Sequence, residues 1–342
     1  ELVHFRNRIG ESGIELILKE SIRVNGNDSN DSTASIDTTV QEKNITFPTD
    51  SKLHRKIIDK CRNIAEKENL PVRQSYTRTL KKLSLDQRFR NHPRNKWKAR
   101  KADRKEKTIA GRLVRELERN LSPDSRYQSD IDLFKRILNQ KKSDKNKIYS
   151  VHEPDVQCIS KGKEHKKYEF GNKVSIIYTQ TTGVIIGALG FRNPYDGHTI
   201  EPALEQTERL LGKRTLKTLI GDRGYKGKRQ INDTTIEIPK PFNNRKQSQY
   251  QQNKLKKQFR KRAAIEPING HLKTDHRLNR NFYKGITGDN INVMLAAAAF
   301  NFKRMMNKWK SSFWLEFKIQ IVDLIKAMFY QINNNIIRKW AF

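Results

Sequence analysis

Three short stretches each offer one acid in an ordered setting: Asp37 in Ala34-Ser-Ile-Asp37-Thr-Thr, Asp222 in Leu219-Ile-Gly-Asp222-Arg-Gly-Tyr225, and Glu266 within Arg262–Lys273. They sit in a chain of 342 residues with 70 Lys+Arg against 37 Asp+Glu, a formal net charge of +33. That excess predicts a polyanionic partner, nucleic acid above all, and binding that weakens steeply with salt. Carboxylates repel phosphates unless metal ions lie between them. A basic chain that keeps acids on ordered elements therefore suggests a divalent-metal site acting on a polynucleotide.

Each acid also has a plainer reading. Asp222 follows an apolar run and precedes Gly224 and Gly227, as at the C-terminal edge of a strand, where open α/β sheets place their sites; it could equally cap the turn that follows. Arg262, Glu266 and Lys273 are spaced i−4, i and i+7, one stripe of a helix. Such a stripe could bind metal and phosphate, or be a surface ion-pair row. Asp37 reads as strand-borne or as a loop-edge residue. Asp50 and Asp196 are rivals, both more naturally read as helix caps.

The elements that must hold these acids follow from periodicity. Glu11–Ile22 predicts a helix, Val24–Ser32 a polar loop, and Thr33–Val40 and Lys43–Phe47 two short strands. Asp50 caps a helix whose buried face is Leu53, Ile57, Cys61, Ile64 and Ala65. Val72–Leu121 is basic and helical, broken at His92-Pro93. Lys173–Thr179 and Gly183–Ala188 form a hairpin, Thr199–Leu211 a helix, and Thr215–Ile220 and Thr234–Ile238 buried strands. Gln251–Leu278 is a long basic helix bent near Pro267 and Gly270, and Asn290–Lys308 an apolar one. The fold class is α/β.

Length suggests two domains. The best apolar run, Ile291–Phe302, is too short to span a bilayer, so no membrane role is expected. No secretory signal is visible, and a start at Glu1 reads as a fragment. Two isolated cysteines, Cys61 and Cys158, make no disulfide framework and fit a reducing cytoplasm. Lys96, Lys98, Arg100, Lys101 and Arg104 form the densest cationic row, the candidate surface for the DNA backbone, with Trp97 read as a packing residue.

At these residues the chain resembles the transposases of bacterial insertion sequences, specifically the IS5 group. Ile36–Leu53 resembles the segment of the first acid. Tyr149–Lys163 and Tyr168–Ser175 resemble the middle signature, followed in order by Asn193–Thr199 and Gly221–Gly227. The related signature Tyr-x2-Arg-x3-Glu-x6-Lys is met at Arg262, Glu266 and Lys273, with Phe259 in place of the Tyr. The resemblance covers about Leu2–Lys308.

It implies a ribonuclease H-like core with a mostly helical basic insertion at 51–148, between first strands at 33–50 and the rest of the core at 149–310. It further implies a DDE triad of Asp37, Asp222 and Glu266 holding two Mg²⁺ or Mn²⁺ ions, with Arg262 and Lys273 gripping phosphates. The substrate would be double-stranded DNA, at element ends and target, cut and joined in a nucleoid-associated cytoplasmic setting. Two features depart from the family. Its usual helical region upstream of Leu2 is absent, which reads as N-terminal truncation. The tail 311–342, with Leu315, Ile319, Leu324 and Phe329, reads as a packing helix, a homodimer helix or read-through. A catalytically inactive DNA-binding remnant is the alternative function, and a basic structural nucleoprotein a third.

Overall fold

The computed structural model describes residues 2–160, 166–212, 216–239, 248–262 and 264–339. In chain order the elements begin with α1 (Leu2–Arg23), β1 (Thr33–Lys43), α2 (Asp50–Lys67), α3 (Thr77–Asp86), α4 (Lys96–Asn120) and α5 (Gln128–Asn139). They continue with β2 (Gln157–Ser160), β3 (Tyr168–Thr179), β4 (Ile185–Phe191), α6 (Ile200–Leu211) and β5 (Thr218–Ile220). The last are β6 (Gln230–Ile231), β7 (Thr234–Glu237), α7 (Gln249–Arg262), α8 (Ile265–Thr274), β8 (Arg280–Asn281) and α9 (Gly285–Lys339). The chain divides into two units: Glu1–Thr39, Val174–Asn279 and Thr287–Phe342 form one, Val40–Lys173 and Arg280–Ile286 the other.

The first unit is a mixed α/β layer structure. Its strands lie in the order β4-β3-β1-β5-β7-β6. β1, β5 and β7 are parallel to one another. Gln180, just past β3, bonds Thr33 at the start of β1 (3.2 Å), and Thr179 N bonds Val184 O (2.9 Å) to close the predicted hairpin. Ile176, Ile177, Ala34, Ile36 and Leu219 are buried with the apolar faces of α1, α6 and α9. Alternating and continuous apolar runs produce this burial because strands covered on both faces need no polar side. β4 and α6 approach so closely that a Cβ on Gly187 would lie 2.3 Å from Thr207 Oγ1. Asn301 on α9 is buried and satisfied: it donates to Ile185 O (2.8 Å) and accepts from Ile185 N (2.9 Å).

The second unit is mainly helical. Leu53, Ile57, Cys61, Ile64 and Ala65 on α2 bury the predicted face against Ile109, Leu113 and Val114 of α4 and Phe134 of α5. Burial pushes the Cys61 thiol up to about 12, so it stays protonated and idle. The break at His92-Pro93 falls between α3 and α4 as expected. β2 pairs antiparallel with the start of β3, and β8 parallel with the end of β1.

Several expectations are corrected. β1 is one strand of 11 residues, and 44–49 form no second one. Past Lys43 the chain turns away as Asn44 N bonds Asn281 O (2.8 Å), and Pro48 could not extend a ladder. Thr49, not Asp50, caps α2: its side chain accepts from Lys52 N (3.3 Å), while Asp50 lies in the first turn, where the helix dipole favours it. Gln251–Leu278 is not one bent helix: α7 ends at Arg262 and α8 starts at Ile265. Pro267 lies in the first turn of α8, where its missing N–H costs nothing, so it marks a start rather than a bend. Trp97 is 60 % exposed rather than packed. The predicted strand start Thr215 and the end of the middle signature, 161–163, lie outside the described residues, as do the side chains of Leu315, Ile319, Leu324 and Phe329.

Candidate functional site

The parallel register of β1 and β5 sets the site. Ser35 stands opposite Ile220. Asp37 lies two residues past Ser35, and Asp222 two past Ile220, so the ladder carries both acids to one level at the end of β5. β5 stops there: Gly221 N bonds Glu237 O (3.0 Å), and Asp222 opens a single turn of 3₁₀ helix. Its Oδ1 accepts from Gly224 N at 2.7 Å, so the turn-cap reading of Asp222 holds geometrically.

A third acid joins them. Asp196 was expected to cap a helix, but its Oδ1 accepts from Thr38 Oγ1 at 3.1 Å, and Thr199 is the residue before α6. A Cβ on Gly224 would meet Asp222 Oδ1 at 2.9 Å and Asp196 Oδ2 at 3.0 Å. Only glycine leaves the two carboxylates that approach. Tyr225 is buried among this group. Burial first, then the negative charges of Asp37, Asp196 and Asp222, push its phenol well above the ordinary range, so it remains a neutral wall.

The helix side arrives through α8. Ile265, Ile268 and Leu272 bury one face of it. Asn269 donates to Asp37 Oδ2 at 3.1 Å. Glu266 is exposed, in the first turn, three residues before Asn269 and hence on the neighbouring stripe position. Lys273, seven residues past Glu266, continues that stripe. Arg262 does not: it ends α7, and its Nη1 lies 3.7 Å from Asp37 Oδ1. Tyr178 fixes that helix end by donating to the Arg262 carbonyl at 2.9 Å. The expected one-stripe arrangement of Arg262 and Glu266 is therefore corrected: Arg262 closes α7 and Glu266 lies on α8, and the arginine meets the first acid instead.

Carboxylate oxygens suit hard ions such as Mg²⁺ and Mn²⁺. Among the described residues, no group of three or more His, Cys, Asp or Glu converges closely enough to hold a metal ion. The donor chemistry thus fits, while the three-ligand geometry is not assembled. The Arg262 guanidinium supplies positive charge beside Asp37. Asn269 and Tyr225 are site residues that sequence reasoning missed. The helical spacing from Glu266 could have indicated Asn269; nothing local marks Tyr225.

In the second unit, Lys96, Lys98, Arg100, Lys101 and Arg104 are all exposed on α4. The opposite face of that helix, Ala99, Ala102, Glu106, Ile109 and Leu113, is buried. Trp97 stands exposed within the row, with Lys98 Nζ 5.9 Å from its ring centroid. No described helix is long and apolar enough to cross a membrane.

Residues 138–302 match the family model for the transposase DDE domain. The match includes Asp222 and Glu266 and stops short of Asp37. A second similarity is to the uncharacterized protein ORF8 in the nfe locus of Rhizobium meliloti, 38% identical over 95 residues. That stretch is 26% of this chain and 46% of the relative, so less than half of the relative is spanned. No solved structure matches. The domain match supports a transposase-type DDE domain in this part of the chain.

Proposed function

We propose that this chain is an insertion-sequence transposase of the IS5 group, with a ribonuclease H-like core and a DDE triad of Asp37, Asp222 and Glu266. The observation that carries this reading is the β1/β5 register, which aligns Asp37 with Asp222 beside the helix bearing Glu266. The strand order β4-β3-β1-β5-β7, with three parallel central strands, supports the ribonuclease H-like reading. The domain match supports the transposase class.

Asp37, Asp222 and Glu266 would hold Mg²⁺ or Mn²⁺. Bound there, such ions supply Lewis acidity and a nucleophile at neutral pH for phosphodiester cleavage and strand transfer. The chain's own residues do the rest. Asn269 orients Asp37. Arg262 balances its charge and would also grip a DNA phosphate. Lys273 extends the phosphate grip along α8. Tyr225 keeps a neutral, dry floor under the acids. The exposed cations of α4 hold the DNA backbone without reading sequence. The basic helices of 51–148 serve as an insertion in the core, the tail 311–342 as a packing or homodimer helix, and the enzyme works at the nucleoid.

The test is metal-dependent cleavage of duplex DNA carrying the element's ends, comparing the chain with Glu266→Ala. Cleavage lost in the variant, with binding retained, is the expected result. Unchanged cleavage would overturn the triad. No cleavage by either protein, with salt-sensitive binding intact, would instead identify an inactive DNA-binding remnant.

A further inference from the structure

Away from the acids, the helical unit carries a basic groove that none of the roles above uses. α2, α3 and the turn past α3 flank an open groove of about 630 Å³, lined by Arg55, Arg62, Thr77, Lys81, Ser84 and Arg88. Asp59 is its one acid, and Leu85, 56 % exposed, forms an apolar part of the wall. We propose that this groove is a second phosphodiester-binding site, seating one strand of duplex DNA; the inference rests on the DNA-handling function above.

Four features make it a built site rather than a scatter of surface charge. Arg55 and Arg62 are seven residues apart on α2, while Lys81 lies on α3 and Arg88 just past its end. At 1.5 Å per residue the α2 pair spans about 10.5 Å along one helix face, and Lys81 and Arg88 add charge from the opposite wall. The arginines are held in place: Arg62 Nη2 donates to Thr77 Oγ1 (3.2 Å), and Arg55 Nη2 to Ser84 Oγ (3.1 Å) and Leu80 O (3.3 Å). Arg55 is also paired with the buried Glu106, so its charge is already balanced. No acid pairs with Arg62, Lys81 or Arg88 among the described residues, which leaves three cations against Asp59.

The lining is rich in donors that match an acceptor-only ligand. Guanidinium forks take phosphate oxygens in bidentate fashion, and ammonium adds a point charge. The Leu85 side chain offers a surface for the deoxyribose face between phosphates. A polyanion with several phosphates can engage cations on both walls at once. A single free phosphate would engage one cation pair and leave the other unmatched.

The experiment measures fluorescence anisotropy of a labelled duplex against the full chain over a range of salt. The test variant is R62Q/K81Q/R88Q, which leaves Arg55 to balance Glu106. A charge-matched control, K141Q/K142Q/K145Q, removes three exposed lysines from a loop outside the groove. Circular dichroism confirms that both fold. The groove variant should lose about one unit of log–log salt slope per cation removed, and roughly tenfold or more in affinity at 0.1 M salt. It should lose this equally for specific and scrambled duplexes. The control should lose clearly less.

Equal losses in groove variant and control would overturn the site as mere net charge. Unchanged binding in the groove variant would overturn it as a DNA contact while leaving the transposase reading standing. Failure of the parent chain to bind DNA would sink both. Displacement of the duplex by millimolar inorganic phosphate from the parent but not from the groove variant would reassign the groove to free phosphate.

Discussion

Asp37 and Glu106 are both acids on regular elements beside an arginine, yet the two regions use them oppositely. In the α/β unit, Asp37 keeps 20% of its side chain exposed and meets Arg262 across 3.7 Å. In the helical unit, Glu106 is 1% exposed and enclosed by Arg55, Ser51 Oγ (2.6 Å) and Gln87 Nε2 (2.9 Å). An acid at a strand end, loosely paired and reachable, remains available to another cation. One with both oxygens bonded inside a helical core is committed to folding. The difference lies in the surroundings and not in the residue type.

The comparison breaks most sharply if Asp222→Asn still cleaves DNA. Asparagine can keep the bond to Gly224 N, so the turn survives while the charge is lost. Cleavage should fall by on the order of 10³-fold with little change in melting temperature, as measured by single-turnover assay and calorimetry. A small catalytic loss would return Asp222 to the role of turn cap.

Glu106→Ala should do the reverse. Removing one member of a buried pair leaves Arg55 without its ion partner and costs roughly 3 kcal/mol. Thermal unfolding would report it, and cleavage per folded molecule should persist. Asn269→Ala sharpens the first half of the comparison. Without its bond to Asp37, activity should drop about 10- to 100-fold through weaker metal binding; a Mg²⁺ titration would show a raised half-saturation point that high metal restores. Restoration is what a purely structural role for Asn269 would not give.

On the helical side, K98Q/K101Q/R104Q should lower the salt slope of DNA binding by about three units and leave Asp37, Asp222 and Glu266 untouched. The smallest effect concerns His54. It is 6% exposed, its Nδ1 has no partner among the described residues, and burial holds its pKa below the ordinary value. Below about pH 6.5 the unfolded chain takes up this proton before the folded one does. Stability therefore falls as pH drops through that range and levels out once the folded histidine is also protonated. Urea titrations from pH 7.5 to 5 should show the decline, and His54→Gln should flatten it.

Much of the architecture was legible from local pattern. The α2 face of Leu53, Ile57, Cys61, Ile64 and Ala65 follows from helical period, and the β3–β4 hairpin from two apolar runs around a short polar link. The misreadings share a cause. Pro267 looks the same in sequence whether it bends a helix or begins one, because both place a missing N–H near a helical run. Trp97 looks like a core residue because its apolar area is large, yet its neighbours on α4 decide which face is covered. Asp196 beside Gly197 looks like a cap because caps are common there.

Three things were determined by the sequence alone: the excess of cations that calls for a polyanion, the elements set by apolar period, and the presence of acids at Asp37, Asp222 and Glu266. The tertiary structure decided which acids meet. The β1/β5 register put Asp37 level with Asp222, the loop after β4 brought in Asp196, and the break before α8 turned Arg262 to Asp37 while Asn269 faced the same acid. Register and helix breaks join residues nearly two hundred positions apart, and no local preference encodes such a pairing; it is fixed when the buried faces of strands and helices find the one arrangement that packs them all.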